Sequence, residues 1–312
     1  MGMSWAGGRT LMRYDDTQFF ELGENPEKFE RWVVEANRRA KDDHAAAVLV
    51  EAMYWESDRR RAFERFYKSE DFRQIDRLLR LWCDPDGSAV CEIGTGPGTL
   101  AWALTQKGYK RVSVLEPNDL QITGTGFLQT LNTNGEIKIW NNLAQWHADP
   151  GRYDVILTRN CVHHFQNIAL TAAGIRKKMN PKGIWVMVRE WYADDARELY
   201  RQLWDHPLCQ TELLYEWPHP ASHYVESMEL AGFRLNAVVP ADYADGCLGA
   251  YLPEDRTLKN GRFTEKIYRT LQRNPRRTKL LYRAELFANR YLGRRWRRYT
   301  RPQVMVFERV EL

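Results

Sequence analysis

No apolar run in this 312-residue chain approaches the roughly 18 residues of a membrane-spanning helix, and mean hydropathy is −0.60. The first residues, MGMSWAGGRTLMRYDD, lack a secretory signal's apolar stretch, and Ala6 breaks the myristoylation pattern that Met1 and Gly2 would begin. Cysteine is scarce as well: five residues, at 83, 91, 161, 209 and 247, are odd in number and form no C-x-x-C pair. That leaves no disulfide framework to read and predicts reduced thiols. Metal-ligand patterns are also missing. His219 and His223 have i, i+4 spacing, but Pro220 between them opposes a continuous helix and no nearby carboxylate or cysteine motif completes a set, so both read as loop residues and no metal is expected. Together these absences predict a cytoplasmic globular chain, long enough to bury a large core as one elaborated domain or as a core plus a subdomain.

What is present is ordered along the chain. From Asn25 to Leu81, charged and apolar residues alternate at helical spacing with no strand-like run, which predicts a helical N-terminal cap over residues 1–84. CDPDGS, Cys83 to Ser88, supplies turn signals before the first strand. Strands and helices then alternate over 85–240, as a parallel sheet with helices on both faces requires. Phe233 to Pro240 reads as a sixth strand and Gln303 to Val310 as a seventh; the block 303–312 thus returns to the core after an insertion, 241–302.

The most specific segment is AVCEIGTGPGTLAWAL, Ala89 to Leu104: an apolar strand, an acid, a glycine turn and a helix. Gly94, Gly96 and Gly98 let the backbone turn sharply and pass close to a ligand faced by the free amides of the helix that starts at Thr99. A dinucleotide fingerprint, G-x-G-x-x-G, would need a glycine or alanine at 99; this turn reads G-x-G-x-G. Pro97 removes an amide that a pyrophosphate would use, and Glu92 places a carboxylate that would repel one. The same carboxylate attracts a cation or accepts hydrogen bonds from an ammonium group.

Val90, Glu92, Gly94, Gly96 and Gly98 resemble motif I of the class I S-adenosylmethionine-dependent methyltransferases. The resemblance continues through RVSVLEPND, which ends a second strand in Glu116, 22 residues after Gly94, and through the strands YDVILTRNCVHHF and NPKGIWVMVREW. It covers roughly residues 85 to 240. It implies a Rossmann-like, seven-stranded mixed α/β sheet whose last two strands pair antiparallel at one edge. It also implies S-adenosyl-L-methionine as cofactor, held by Glu92, Gly94, Thr95, Gly96 and Gly98, with Glu116 and Pro117 at the ribose and Asn160 after the fourth strand. Where many members carry an aspartate for the adenine amino group, IKIWNN ends in two asparagines, and Asn142 takes that place as an amide able to donate and accept.

Methyl transfer is an in-line displacement at an already activated carbon, so the protein chiefly aligns the nucleophile and excludes water. A base assists if the acceptor is a hydroxyl. His163 and His164 follow the fourth strand at the carboxyl edge, where ligands sit in open α/β sheets; they read either as bases or as caps of the next helix. Glu190, after the fifth strand, reads either as a base or as the partner of Arg189. Tyr67 reads as a closing aromatic or an ordinary packed one.

Charge is split unevenly. Residues 251–312 hold 17 Lys and Arg against 6 Asp and Glu, leaving 29 against 35 in the rest. RRTKLLYRAELFANRYLGRRWRR, Arg276 to Arg298, mixes apolar residues and arginines at roughly helical period. It reads as a helix packed by an apolar stripe, as a binder of a phosphate-bearing substrate, or as a surface for an anionic membrane or RNA. The segment Asp205 to Leu235 is similar to methyltransferases associated with bacterial polysaccharide or secondary-metabolite loci, which implies a sugar-containing or other polar small metabolite as acceptor; residues 191, 192, 204, 215 and 217 would stack on a ring or fill the core. An RNA methyltransferase and a noncatalytic binding protein of the same fold are the alternatives. Copurifying nucleic acid would mark the first, and the absence of cofactor turnover the second.

Overall fold

Capping residues mark out the helices that precede the sheet. The computed structural model describes residues 26–132, 134–193, 195–205, 217–239 and 301–311, with Leu280, Arg283, Ala284, Phe287 and Tyr291 besides. Helix α1, Pro26–Arg39, starts on a proline, whose missing amide costs nothing there. Asp43 caps α2, His44–Ala52, by accepting from the amides of Ala45 and Ala46; Asp58 caps α3, Arg59–Lys68, through Arg61, and Ser69 caps α4, Glu70–Leu79, through Phe72.

Strand β1, Ala89–Ile93, begins the sheet. After α5, Thr99–Gln106, come β2, Arg111–Leu115, helix α6, Gly126–Leu131, and β3, Ile137–Trp140. Helix α7, Leu143–Ala148, leads to β4, Tyr153–Arg159; α8, Ile168–Arg176, leads to β5, Met179–Val188. Helices α9, Ala196–Asp205, and α10, Ala221–Leu230, precede β6, Phe233–Val239, and β7, Val304–Arg309. The strand order is β3-β2-β1-β4-β5-β7-β6, with β1 to β5 parallel and β7 antiparallel to both its neighbours. This is the seven-stranded mixed sheet that the sequence predicts. The chain leaves β1 toward β3 and then returns to β4, so the order reverses between β1 and β4 and a crevice opens at their carboxyl ends.

Alternation along each strand sorts side chains to two faces. Val90, Val112, Val114, Val155, Leu157, Val186 and Val188 lie on one face, in a cluster shared with Phe63, Phe66, Phe72 and Leu100. Cys91, Ile93, Ile156, Trp185 and Met187 lie on the other, against Trp146, Ile175 and Tyr224. Burying one phenylalanine is worth roughly 1.5–3 kcal/mol, against about 0–1 kcal/mol for an exposed pair such as Arg73–Glu70. The cap helices α3 and α4 are therefore held by core packing rather than by their surface charge. A buried ion pair also joins cap and sheet: Arg189, just past β5, lies 3.2 Å from Asp71 of α4.

The turn after β1 leaves little room. Gly98 has φ +82, and a Cβ there would sit 2.5 Å from Leu128 Cδ2 of α6. Gly98→Ala combines a left-handed strain with a clash, so a loss of about 2–4 kcal/mol is expected in urea unfolding. A change below about 0.5 kcal/mol would show that the turn relaxes freely.

Candidate active site

The two acids that the sequence singles out lie on the same sheet face. Glu92 follows Val90 by two positions in β1, and Glu116 follows Val114 by two at the end of β2, so both point toward the cap at the carboxyl edge. They are nearly closed to solvent, at 1% and 4% exposure. Glu92 Oε2 accepts from Thr95 Oγ1 at 2.6 Å and from the Ala101 amide at 3.1 Å. Glu116 ties two turns together: Oε2 accepts from the Gly96 amide at 2.8 Å and Oε1 from the Asn118 amide at 3.0 Å. Burial pushes each carboxyl up to about 7, against hydrogen bonds that pull the other way; the Glu92 charge raises Glu116 further, and Arg159 eases Glu92.

Gly94 and Gly96 have φ of 65° and 53°, which presents backbone rather than side chain to the crevice. Pro117 is exposed beside Glu116. The loop that follows continues from the Asn118 turn that Glu116 holds. Glu30 of α1 accepts from the amides of Ile122 and Thr123 at 2.8 and 2.9 Å and from Thr123 Oγ1 at 2.7 Å, so the cap fixes it. Only the dense turn chemistry of NDLQITGTG hinted at this loop.

The two asparagines after β3 divide their work. Asn142 caps α7, its Oδ1 accepting from the Gln145 amide at 3.0 Å. Its neighbour Asn141 reaches inward, donating to the Glu116 carbonyl at 2.7 Å and to Thr125 Oγ1 at 3.1 Å. Asn160, exposed just past β4, adopts φ 51° while its amide donates to the Val188 carbonyl at 2.8 Å.

Across the crevice, the sequence offered two roles for the histidine pair and two for Glu190. The pair does not cap α8; Asn167 does, accepting from the Leu170 amide. Instead Val162–His164 forms a short 3-10 turn. Glu190 is not the partner of Arg189, which pairs with Asp71. Its carboxylate accepts from the amides of Cys161, Val162 and His163 at 3.3, 3.1 and 3.2 Å and meets His163 Nδ1 at 3.0 Å. A neutral ring that donates Nδ1–H to the carboxylate would carry its lone pair on Nε2. His163 is fully buried, and half-buried His164 lies 4.2 Å from it ring to ring.

Of the second histidine pair, expected in a loop, only His219 lies in one. His219 does precede α10, but His223 lies in that helix's first turn, because Pro220 stands just before the helix, where its fixed φ and missing amide are harmless. Their rings are 4.4 Å apart. Burial pushes His219 down to about 4, with His223 and His163 adding to the effect, so it is a neutral imidazole at ordinary pH. No cluster of three or more metal-ligating side chains occurs among the described residues.

The aromatics expected to stack or pack divide as follows. Tyr67 packs against Phe72 and Trp102. The Tyr192 hydroxyl donates to the Pro302 carbonyl and that of Tyr224 to the Trp191 carbonyl, each at 2.8 Å. Trp217 is exposed. Tyr215, the Trp204 side chain and most of the insertion 241–302 lie outside the described residues. Within that insertion, Leu280, Phe287 and Tyr291 are helical and exposed, and Arg283 pairs with Glu229 of α10 at 2.8 Å. No described helix is long and apolar enough to cross a membrane.

A family model described as a methyltransferase domain matches residues 54–238, more than half of the chain and all of the sheet from β1 to the end of β6 but one residue. The chain belongs to this methyltransferase family. Among solved structures, this methyltransferase is similar to the mitomycin 7-O-methyltransferase MmcR, at 15% identity and TM-score 0.41, over 70% of this chain and 64% of that one, so it spans less than two thirds of that enzyme. It is also similar to the O-methyltransferase of a trans-AT PKS multienzyme of Brevibacillus brevis, solved with S-adenosyl-L-homocysteine, at 12% identity and TM-score 0.45 over 76% and 71%. A third is the YcgJ protein of Bacillus subtilis, at 12% identity and TM-score 0.46 over 77% and 99%. Among curated proteins none matches the sequence.

Proposed function

We propose that this methyltransferase uses S-adenosyl-L-methionine and methylates a hydroxyl or amine of a polar, sugar-containing or phosphate-bearing small molecule. The observation that carries the cofactor is the pair of buried carboxylates, Glu92 and Glu116, at a turn whose glycines expose backbone. Each Glu116 oxygen accepts one amide and retains a second lone-pair direction, which suits the two hydroxyls of a ribose. Glu92 supplies negative charge for an ammonium and a sulfonium. When bound, the cofactor supplies a methyl group already activated by its sulfonium.

The chain's own work is alignment and proton handling. His163 is the candidate proton acceptor for a hydroxyl, with His164 and His219 as neighbouring imidazoles; Glu190 is better suited to a positioning role, since its oxygens hold the His163 turn and ring. The exposed aromatic Trp217 and the basic insertion are where acceptor recognition would reside.

Calorimetric titration with S-adenosylhomocysteine tests this reading. The parent protein is expected to bind it, and Glu116→Ala to bind about 10–100-fold more weakly, the loss typical of a charged hydrogen-bond acceptor. No binding by the folded parent protein would remove the cofactor assignment. Incubation of labelled S-adenosylmethionine with fractionated metabolites, and mass identification of the product, would then name the acceptor.

A further inference from the structure

We propose that Arg159 recognises the carboxylate at the amino-acid end of the cofactor, an inference that rests on the cofactor reading above. Arg159 ends β4 two positions beyond Leu157, so alternation puts it on the face that carries Glu92 and Glu116, at the same carboxyl edge. Its guanidinium lies 4.9 Å from the Phe66 ring centre and 5.8 Å from that of Tyr54, so two aromatics of the cap flank it.

Contact with aromatic rings leaves a guanidinium's five N–H donors to be satisfied elsewhere. Among the described residues the Arg159 side chain makes no hydrogen bond or ion pair, although it is half-buried. Its neighbours differ: Arg59 donates to the carbonyls of Tyr54 and Glu56, Arg65 pairs with Glu56, and Arg189 pairs with Asp71. Glu92 is close enough for its charge to be felt, yet its engaged oxygen serves Thr95 and Ala101.

A crevice with two carboxylates and one ring-flanked guanidinium on one face is complementary to a zwitterion. A ligand that was only cationic would be repelled by Arg159, and one that was only anionic by Glu92 and Glu116. An α-amino acid group answers both, with its ammonium toward Glu92 and its carboxylate in the arginine fork, where bidentate pairing is geometrically favoured.

The test compares ligands that differ in that carboxylate. Parent protein, Arg159→Met and Arg159→Lys would be titrated with S-adenosylhomocysteine, with decarboxylated S-adenosylmethionine and with 5′-methylthioadenosine, their folding checked by thermal melting. Arg159→Met is expected to lose 10–100-fold for S-adenosylhomocysteine and less than threefold for the two ligands without a carboxylate, with Arg159→Lys intermediate. An equal loss for all three ligands would overturn the proposal in favour of a packing role. Unchanged affinity for S-adenosylhomocysteine would overturn it too, and would leave the guanidinium to an anionic acceptor. If the folded parent protein bound none of the three, the cofactor reading itself would have failed, and this inference with it.

Discussion

Glu190→Ala is expected to destabilise the protein by about 3–5 kcal/mol and to reduce methyl transfer at least 100-fold. Its carboxylate is the acceptor for three consecutive amides, Cys161, Val162 and His163, and for the His163 ring. Each buried donor left unsatisfied costs about 1–3 kcal/mol, and water entering the space left by the side chain offsets part of the sum. Glu190→Gln separates the two effects. It keeps one acceptor oxygen for the amides but turns an NH2 group toward a donor, so its stability loss should be about half as large while His163 loses its fixed tautomer. Urea unfolding reads the first quantity, and formation of S-adenosylhomocysteine with a methyl-accepting extract reads the second. Parent-like stability in Glu190→Ala would show that the turn after β4 is held by something other than this carboxylate. Full activity in a folded Glu190→Gln would detach the His163 tautomer from catalysis.

The contrast between Glu190 and Glu116 shows what a sequence discloses. Glu116 is legible because it ends a strand at a fixed distance from a glycine turn, and both features are local. The partner of Glu190 lies across the sheet edge on a different strand's loop, and nothing in VREWY distinguishes an acid that binds backbone amides from one that pairs with Arg189. The same holds for the latch between Asp71 and Arg189 and for the grip of Glu30 on the loop at 122–123: these are tertiary pairings with no spacing rule. The existence of the strands is legible because apolar runs alternate with helical segments, and β6 and β7 meet antiparallel, as the family resemblance implies, despite the long insertion between them. Pro220 misled because a proline inside an i, i+4 pair reads as a breaker, whereas here it begins the helix that carries His223. Asn141 and Asn142 are adjacent and chemically identical, so only backbone direction decides which one caps α7 and which one reaches Thr125.

Affinity for S-adenosylmethionine is expected to fall at least tenfold between pH 8 and pH 6, because Glu92 and Glu116 titrate near pH 7 in the free protein. Both carboxyls are raised by burial from an unfolded value of 4.5, so between about pH 4.5 and 7 the folded chain binds more protons than the unfolded one. The stability contributed by the two neutral acids is thus fully present below about 4.5 and is lost as pH rises through 7, on the order of several kcal/mol for the pair. The free protein should therefore lose stability over that window through these two groups. A cation placed against them favours the ionised forms, so binding must release protons when they start protonated, and the same ligand should stabilise the fold more at pH 8 than at pH 6. Calorimetry in two buffers of different ionisation enthalpy counts those protons directly. Release is expected at pH 6.5 and should vanish by pH 8.5, where both acids are already charged. The Glu92→Gln variant should reduce the release at pH 6.5 by more than half, since one acid is gone and Glu116, without its charged neighbour, is more fully ionised there. Binding that neither releases protons nor changes between pH 6 and 8 would mean that the ligand does not engage this pair, and would remove the electrostatic basis for a sulfonium at the glycine turn.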